Sequence, residues 1–159
     1  MNYEKVGSKK LTDPLSCKLR LVEERDIPLL YDILKEFLMI PNADVNERPL
    51  PPFEESKNFV MKYLFDNENH EYHKWYIVIN ENDEPMGSVW ISKKNYIAYH
   101  ILPQFRHKGM GQKAIKLLME ANPRKRYFAA VNQKNEASIN FIKKFGFQPK
   151  GIIFEKITD

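Results

Sequence analysis

Apolar residues recur along the chain with two periods, and the changes of period mark the elements. Residues 17–22 alternate, with Leu19 and Leu21 on one side, which predicts a first strand. Ile27, Leu30, Tyr31, Leu34, Phe37 and Leu38 then recur at helical spacing, with Asp26 and Pro28 at the start and Pro41 as the stop. Segment 42–52 carries Pro49, Pro51 and Pro52 among charged residues, too polar to bury and too rich in proline for a helix. It predicts a long exposed loop, a candidate lid. A second helix is expected over Phe53–Phe65, with Phe59, Val60, Tyr63 and Leu64 on one face, followed by a polar connection over 66–74.

Three strands follow in sequence. Residues 75–79 (WYIVI) and 85–91 (PMGSVWI) flank an acidic turn and predict a hairpin, and Tyr96 to Leu102 continues it into a meander. A helix comes next, with Met110, Ala114, Leu117, Leu118 and Ala121 on one stripe and Asn122-Pro123 as its end. The run Tyr127 to Val131 is continuously apolar, the pattern of a strand buried on both faces. A helix separates it from the Tyr96 strand, so the two are expected to pair in parallel through a right-handed crossover. The last helix is expected over 136–145, with Ala137, Phe141, Ile142 and Phe145 inward and Gly146 as a left-handed stop; strand-like pieces close the chain over 147–157. The fold class is therefore α/β (α+β): a mixed, mostly antiparallel sheet flanked by helices, with one parallel strand pair. Residues 1–16 read as a polar arm and 17–159 as a single domain.

Composition narrows the function classes. With 159 residues, 43% of them hydrophobic, the chain supports one sizeable core. Its longest apolar runs fall short of a membrane span, and residues 1–16 lack the apolar core of a secretory signal, so a cytoplasmic protein with no membrane partner is expected. The formal net charge of +4 suits an acidic ligand. A nucleic-acid-binding module is a rival reading, but the lysines are scattered and not gathered with aromatics on one face. Cys17, the one cysteine, excludes an internal disulfide and reads as a small buried hydrophobe. His70 and His73 have a spacing that fits two metal ligands on a turn, but no third ligand stands near them in sequence; they read as solvated loop residues, and no metal is expected.

The most informative stretch is Arg106-His107-Lys108-Gly109-Met110-Gly111, a short basic turn between the Tyr96 strand and the following helix. Glycines at 109 and 111 remove Cβ atoms that would keep a ligand off the backbone, so several N–H groups can converge on an anion at the positive end of a helix. A tight strand-to-helix turn is the plain alternative.

Arg106-x-x-Gly109-x-Gly111, followed by the apolar run 127–131, Asn135 and the Phe145-Gly146-Phe147 helix end, resembles the GNAT superfamily of acyl-CoA-dependent N-acyltransferases. The resemblance covers 75–147 clearly, and the opening strand and helix fit it. It implies acetyl-CoA as cosubstrate. Arg106 opens the cofactor motif, backbone N–H groups of His107, Lys108, Gly109, Met110, Gly111 and Gln112 would hold the pyrophosphate, and Tyr99, His100 and Ile101 would offer main-chain groups to the pantetheine and thioester. Asn135 would contact the cofactor or simply cap the last helix. Lys108, His107 and the Arg124 to Arg126 cluster are alternatives for the terminal phosphate.

The implied reaction is direct attack of a primary amine on the thioester, which requires a proton acceptor. The positions where relatives often carry a Glu or Tyr for this purpose hold Asn95, Ala130 and Ile142, none of which can serve. His100, with the intrinsic pKa of a base, and Tyr99, as an acid or a substrate wall, are the remaining candidates on the strand; both as packing residues, with water carrying the proton, is the alternative. The acceptor is expected to be a small-molecule amine such as an amino sugar, polyamine or amino-acid-like compound, with a protein N-terminus as the alternative. Asp44 and Glu47 could attract a cationic amine, or belong to a solvated mixed-charge loop; Tyr76 and Trp90 could wall a sugar, or be core. A silent acyl-CoA sensor is the non-enzymatic alternative, and a homodimer is compatible with the sequence.

Overall fold

A computed structural model describes residues 16–158, so the polar arm, apart from Ser16, lies outside the described residues. Four strands, β1 (Lys18–Leu21), β2 (Tyr72–Ile79), β3 (Pro85–Ser92) and β4 (Ile97–Ile101), form an antiparallel sheet in sequence order. Helices α1 (Ile27–Met39) and α2 (Phe53–Phe65) precede β2, and α3 (Met110–Ala121) and α4 (Glu136–Lys144) follow β4. Strand alternation sorts the two faces. Val78, Val89, Ile91, Ile97 and Ile101 pack with Met110, Ala114, Ile115 and Leu118 of α3, whereas Ile77 packs with Ile27, Leu30 and Val60 of α1 and α2. The core is thus two apolar layers on either side of one sheet. The described residues contain no helix long and apolar enough to cross a membrane.

Several expectations need correction. The 127–131 run does not form a strand buried on both faces. It meets the meander in a single parallel bridge, Tyr96 with Phe128, where Ile97 N–H donates to the Phe128 carbonyl (2.8 Å) and Phe128 N–H to the Asn95 carbonyl (2.9 Å). Ala130 is exposed, and the buried Asn132 donates through Nδ2 to the Asp44 carbonyl (3.1 Å), which ties this segment to the loop after α1. Residues 148–158 form no strand; Ile152, Ile153, Phe154 and Ile157 are exposed. Ala137 and Ala121 face solvent, and Ile115, outside the expected stripe, is fully buried.

The connection before β2 is shorter than expected, because the strand begins at Tyr72 and not at Trp75. His70 is accordingly no solvated loop residue. It is 8% exposed, its Nδ1 accepts the Tyr72 N–H (3.2 Å), and its ring lies 4.8 Å from Phe59 and 5.2 Å from Tyr63. Burial pushes its pKa down. No group of three or more His, Cys, Asp or Glu among the described residues is placed to hold a metal ion.

Candidate active site

The register of β4 on β3 is regular, with Val89 opposite Tyr99 and Ser88 opposite His100, so these two side chains point to opposite faces. Their main chains differ in the same way. Ile97 N–H points outward to Phe128 and Leu102 N–H inward to the Met86 carbonyl (2.8 Å), which by alternation places the N–H groups of Tyr99 and Ile101 on the outer edge of β4. Beyond the Tyr96–Phe128 bridge, no further ladder joins the two segments among the described residues, and the edge past it is open to an extended ligand.

The turn after β4 leads directly to the start of α3. His107 (φ 60°) and Gly109 (φ 74°) both adopt left-handed backbone, which only glycine does without strain. Gly109 is the N-cap and brings no side chain to the first turn, while Lys113 N–H is the first to close on it (3.2 Å). The N–H groups of Met110, Gly111 and Gln112 therefore emerge from the helix end without an intrahelical acceptor. A Cβ on Gly109 would meet no protein atom within 4 Å, so the space over this end is vacant of protein and fits a phosphate-bearing ligand. Gly111 faces packed rings instead: a Cβ there would sit at contact distance, 3.4 Å, from both Phe141 and Tyr99, which leaves room for a methyl group but not for a branched side chain.

Tyr99 lies on the α3/α4 face, its ring 4.8 Å from Phe141. Burial pushes its hydroxyl up to about 12, with Ser138 beside it working weakly in the opposite direction. It is a proton donor, never a base, at neutral pH. Asn135 caps α4 through its side-chain oxygen, which accepts the Ser138 N–H (3.1 Å); Gly146 (φ 98°) ends the helix, with Phe147 N–H on the Ile142 carbonyl (3.1 Å) in a Schellman arrangement. The Asn135 side chain is therefore engaged as a helix cap.

His100 lies on the other face, under α1. Its side chain is 10% exposed, the Phe37 ring meets it edge-on at 5.9 Å, and its Nε2 contacts the Glu36 carboxylate. Arg106 completes the cluster: its terminal nitrogen donates to both Glu36 oxygens (2.6 and 2.7 Å) and lies 3.3 Å from His100 Nε2, and its Nε donates to the Ile101 carbonyl (2.8 Å). Burial lowers the pKa of His100; Arg106 acts with burial, and Glu36 opposes them without reversing the shift. The imidazole is therefore neutral at neutral pH. The Arg106 guanidinium is thus engaged on the histidine side of the strand.

Glu36 went unrecognised in the sequence because a glutamate in an amphipathic helix reads as a solvated charge. The usable signal is its spacing: it falls three residues after the buried Ile33 and beside Phe37, on the inward side of α1. Of the other candidates, Tyr76 is core, its hydroxyl accepting from Asn122 (3.2 Å), and Trp90 belongs to the aromatic cluster with Tyr72 (4.6 Å). Cys17 is half-buried and its thiol is pushed up by burial, in keeping with an unreactive packing residue. Asp44 is held by the backbone N–H (3.0 Å) and Nε (2.9 Å) of Arg48; burial opposes its ionisation, but these bonds win and its pKa is lowered. Lys108 turns back to the Gln104 carbonyl (3.2 Å), and Arg126 lies over the Phe128 ring (5.9 Å).

Comparison with known proteins gives consistent results. The acetyltransferase (GNAT) family model matches residues 32–147. The peptidyl-lysine N-acetyltransferase YjaB of Escherichia coli (strain K12) is 30% identical over 76 residues, 48% of this chain and 50% of that protein, so the chain spans about half the length of this curated relative. A dodecameric spermidine N-acetyltransferase from Vibrio cholerae superposes with a TM-score of 0.68 at 18% identity, covering 89% of this chain and 84% of that one. A phosphinothricin acetyltransferase from Sinorhizobium meliloti, solved in complex with AcCoA, gives 0.67 at 19% identity over 85% and 76% of the two chains. The structural likenesses carry the fold, and the family match extends from within α1 to Phe147 across both the β4 edge and the α3 turn: the chain belongs to the acetyltransferase (GNAT) family of N-acetyltransferases.

Proposed function

We propose that this chain moves an acetyl group from acetyl-CoA to the primary amine of a small molecule. The observation that carries the reading is the placement of a neutral, buried imidazole, His100, on the strand whose outer edge and following turn fit the cofactor. When bound, acetyl-CoA supplies the acyl group as a thioester. The N–H groups of Met110, Gly111 and Gln112 bind its pyrophosphate at the helix end, and Tyr99 and Ile101 offer their outward N–H groups to the pantetheine and the thioester oxygen. His100 accepts the proton that an ammonium must lose before it can attack, and Tyr99 donates one from the opposite face to the leaving sulfur. Asn135, which caps α4, also contacts the cofactor from the start of that helix.

The acceptor enters on the α1 side. A hollow of about 380 Å³, lined by Leu38 to Asp44 with Glu47 and Arg48, opens at the end of α1, within one turn of Glu36 and Phe37. Its size suits a small amine, and the carbonyl end of α1 together with Glu47 favours a cation there. A protein-borne lysine is the second reading, favoured by the relative named as a peptidyl-lysine N-acetyltransferase. Thiol release from acetyl-CoA, measured against amino sugars, polyamines, amino acids and lysine or N-terminal peptides, separates the two. Turnover with a small amine is expected; release with peptides alone would replace the first reading by the second, and none with any amine would favour an acyl-CoA sensor.

A further inference from the structure

We infer that Glu36 and Arg106 are positioning residues that fix the tautomer of His100 for proton acceptance, Glu36 by holding Nε2 and Arg106 by holding Glu36. This inference rests on the reading of His100 as the proton acceptor.

A carboxylate only accepts, and the Arg106 terminal nitrogen near the same Nε2 (3.3 Å) already spends its two hydrogens on the Glu36 oxygens, so the closer Glu36 contact places the ring proton on Nε2 and leaves the lone pair on Nδ1. The proton of an incoming ammonium then passes to Nδ1, giving the neutral amine and an imidazolium whose charge Glu36 faces. No other bond is made or broken in this step. Arg106 keeps Glu36 in place from two directions, since its terminal nitrogen takes both carboxylate oxygens while its Nε is pinned on the Ile101 carbonyl. That carbonyl belongs to the strand carrying His100, so the carboxylate from α1 is referenced to β4 itself and not to the helix alone.

The charged groups facing His100 are Glu36 from α1 and Arg106 from the turn after β4. Across the sheet, the cross-strand row of His100 runs through Ser88 and Ile77 to Arg20, which is tied to Asp26 (2.7 Å). Glu36 and Arg106 act on the imidazole with opposite sign, as any neighbouring charges would; the readout that a merely structural ion pair leaves unmoved is the tautomer, which depends on the Nε2 contact itself.

The test is ¹⁵N and ¹³C NMR of histidine-labelled protein, with His100→Gln used to assign the resonance. The wild type should show the Nε2–H tautomer and a pKa below the ordinary imidazole value. Glu36→Gln should mix the tautomers and lower the pKa further; Arg106→Gln should raise it; Arg106→Lys and Glu36→Asp, which keep the charges, should stay near wild type and guard against variants that fail to fold. In Glu36→Gln the acid limb of kcat/KM should move in the same direction as the NMR value, with KM for acetyl-CoA unchanged. An Nδ1–H tautomer in the wild type, or a tautomer unmoved in Glu36→Gln, would overturn the inference whatever the pKa values do. Unaltered turnover in His100→Gln would instead overturn the reading of His100 as base, so the two failures are read on different variants.

Discussion

Gly87 of β3 lies so close to His100 of β4 that a Cβ at position 87 would overlap the His100 carbonyl oxygen and sit 3.0 Å from Ile101 Cα. The obstacle is backbone, which cannot swing aside as a side chain would. Gly87→Ala should therefore cost about 3 kcal/mol, at the upper end for an overpacked site. Because the strand that must give way carries His100, turnover should fall together with stability. Urea denaturation and thiol release on the same preparation check both; a loss below about 0.5 kcal/mol, the range of an ordinary surface change, would contradict the tight strand approach.

The two glycines of the turn should respond differently. Gly109→Val places its side chain in space clear of protein, so it should weaken acetyl-CoA binding more than tenfold, on the order of 1.4 kcal/mol, while the fold survives the strain of a left-handed valine. Gly111→Val presses on Phe141 and Tyr99 and should show mainly as lost stability, about 2 kcal/mol. Calorimetric titration with CoA and thermal melts distinguish them. Equal effects on binding and melting in both variants would show that the glycines do not divide the work in this way.

Acidification should destabilise the protein before its carboxylates protonate. His70, His73 and His100 all have folded pKa values below the ordinary one, burial being the first cause in each. A depressed folded pKa means that the unfolded chain takes up protons first, so the stability these residues contribute is fully present above their unfolded value of about 6.5 and is lost as pH falls toward the folded values. His70 adds a direct mechanism, since protonating Nδ1 destroys its bond from the Tyr72 N–H. Melting temperatures at about pH 7.5 and about pH 5.5 should differ by several degrees in favour of the higher pH. A flat profile would contradict the lowered pKa values of these rings.

Tyr99→Phe separates acid from wall. The hydroxyl is held at about 12 and stays protonated at every working pH, so it can donate but not accept. Removing it should lower kcat by about 100-fold if it protonates the leaving sulfur, with the CoA dissociation constant unchanged. Unchanged kcat would leave Tyr99 as the packing partner of Phe141 and Gly111.

The limits of sequence reading follow from what is local and what is not. Phe53–Phe65 was legible residue for residue, because Pro52 before it and Asp66 after it bracket a helical stripe. The meander and the left-handed stop at Gly146 are likewise local patterns. Apolarity alone misread Tyr127 to Val131, since a run of small and aromatic residues does not say how far its neighbour accompanies it; here pairing ends at Phe128 and Asn132 is bonded to the loop after α1. The same blindness hid Glu36. Its partner Arg106 is 70 residues away, and only the lie of α1 across β4 brings the pair to His100. His70 was misplaced because a histidine among polar neighbours looks solvated until Phe59 and Tyr63 fold over it.

On the proposed reading, His100, held neutral beneath α1, takes the proton from the acceptor amine. The most direct measurement is the pH profile of kcat/KM, at saturating acetyl-CoA, for wild type and His100→Gln with the amine that turns over best. Wild type should show an acid limb below the ordinary imidazole value, and His100→Gln should lose that limb together with about 100-fold or more in rate while binding CoA as tightly. Superimposable profiles of equal height would contradict the account.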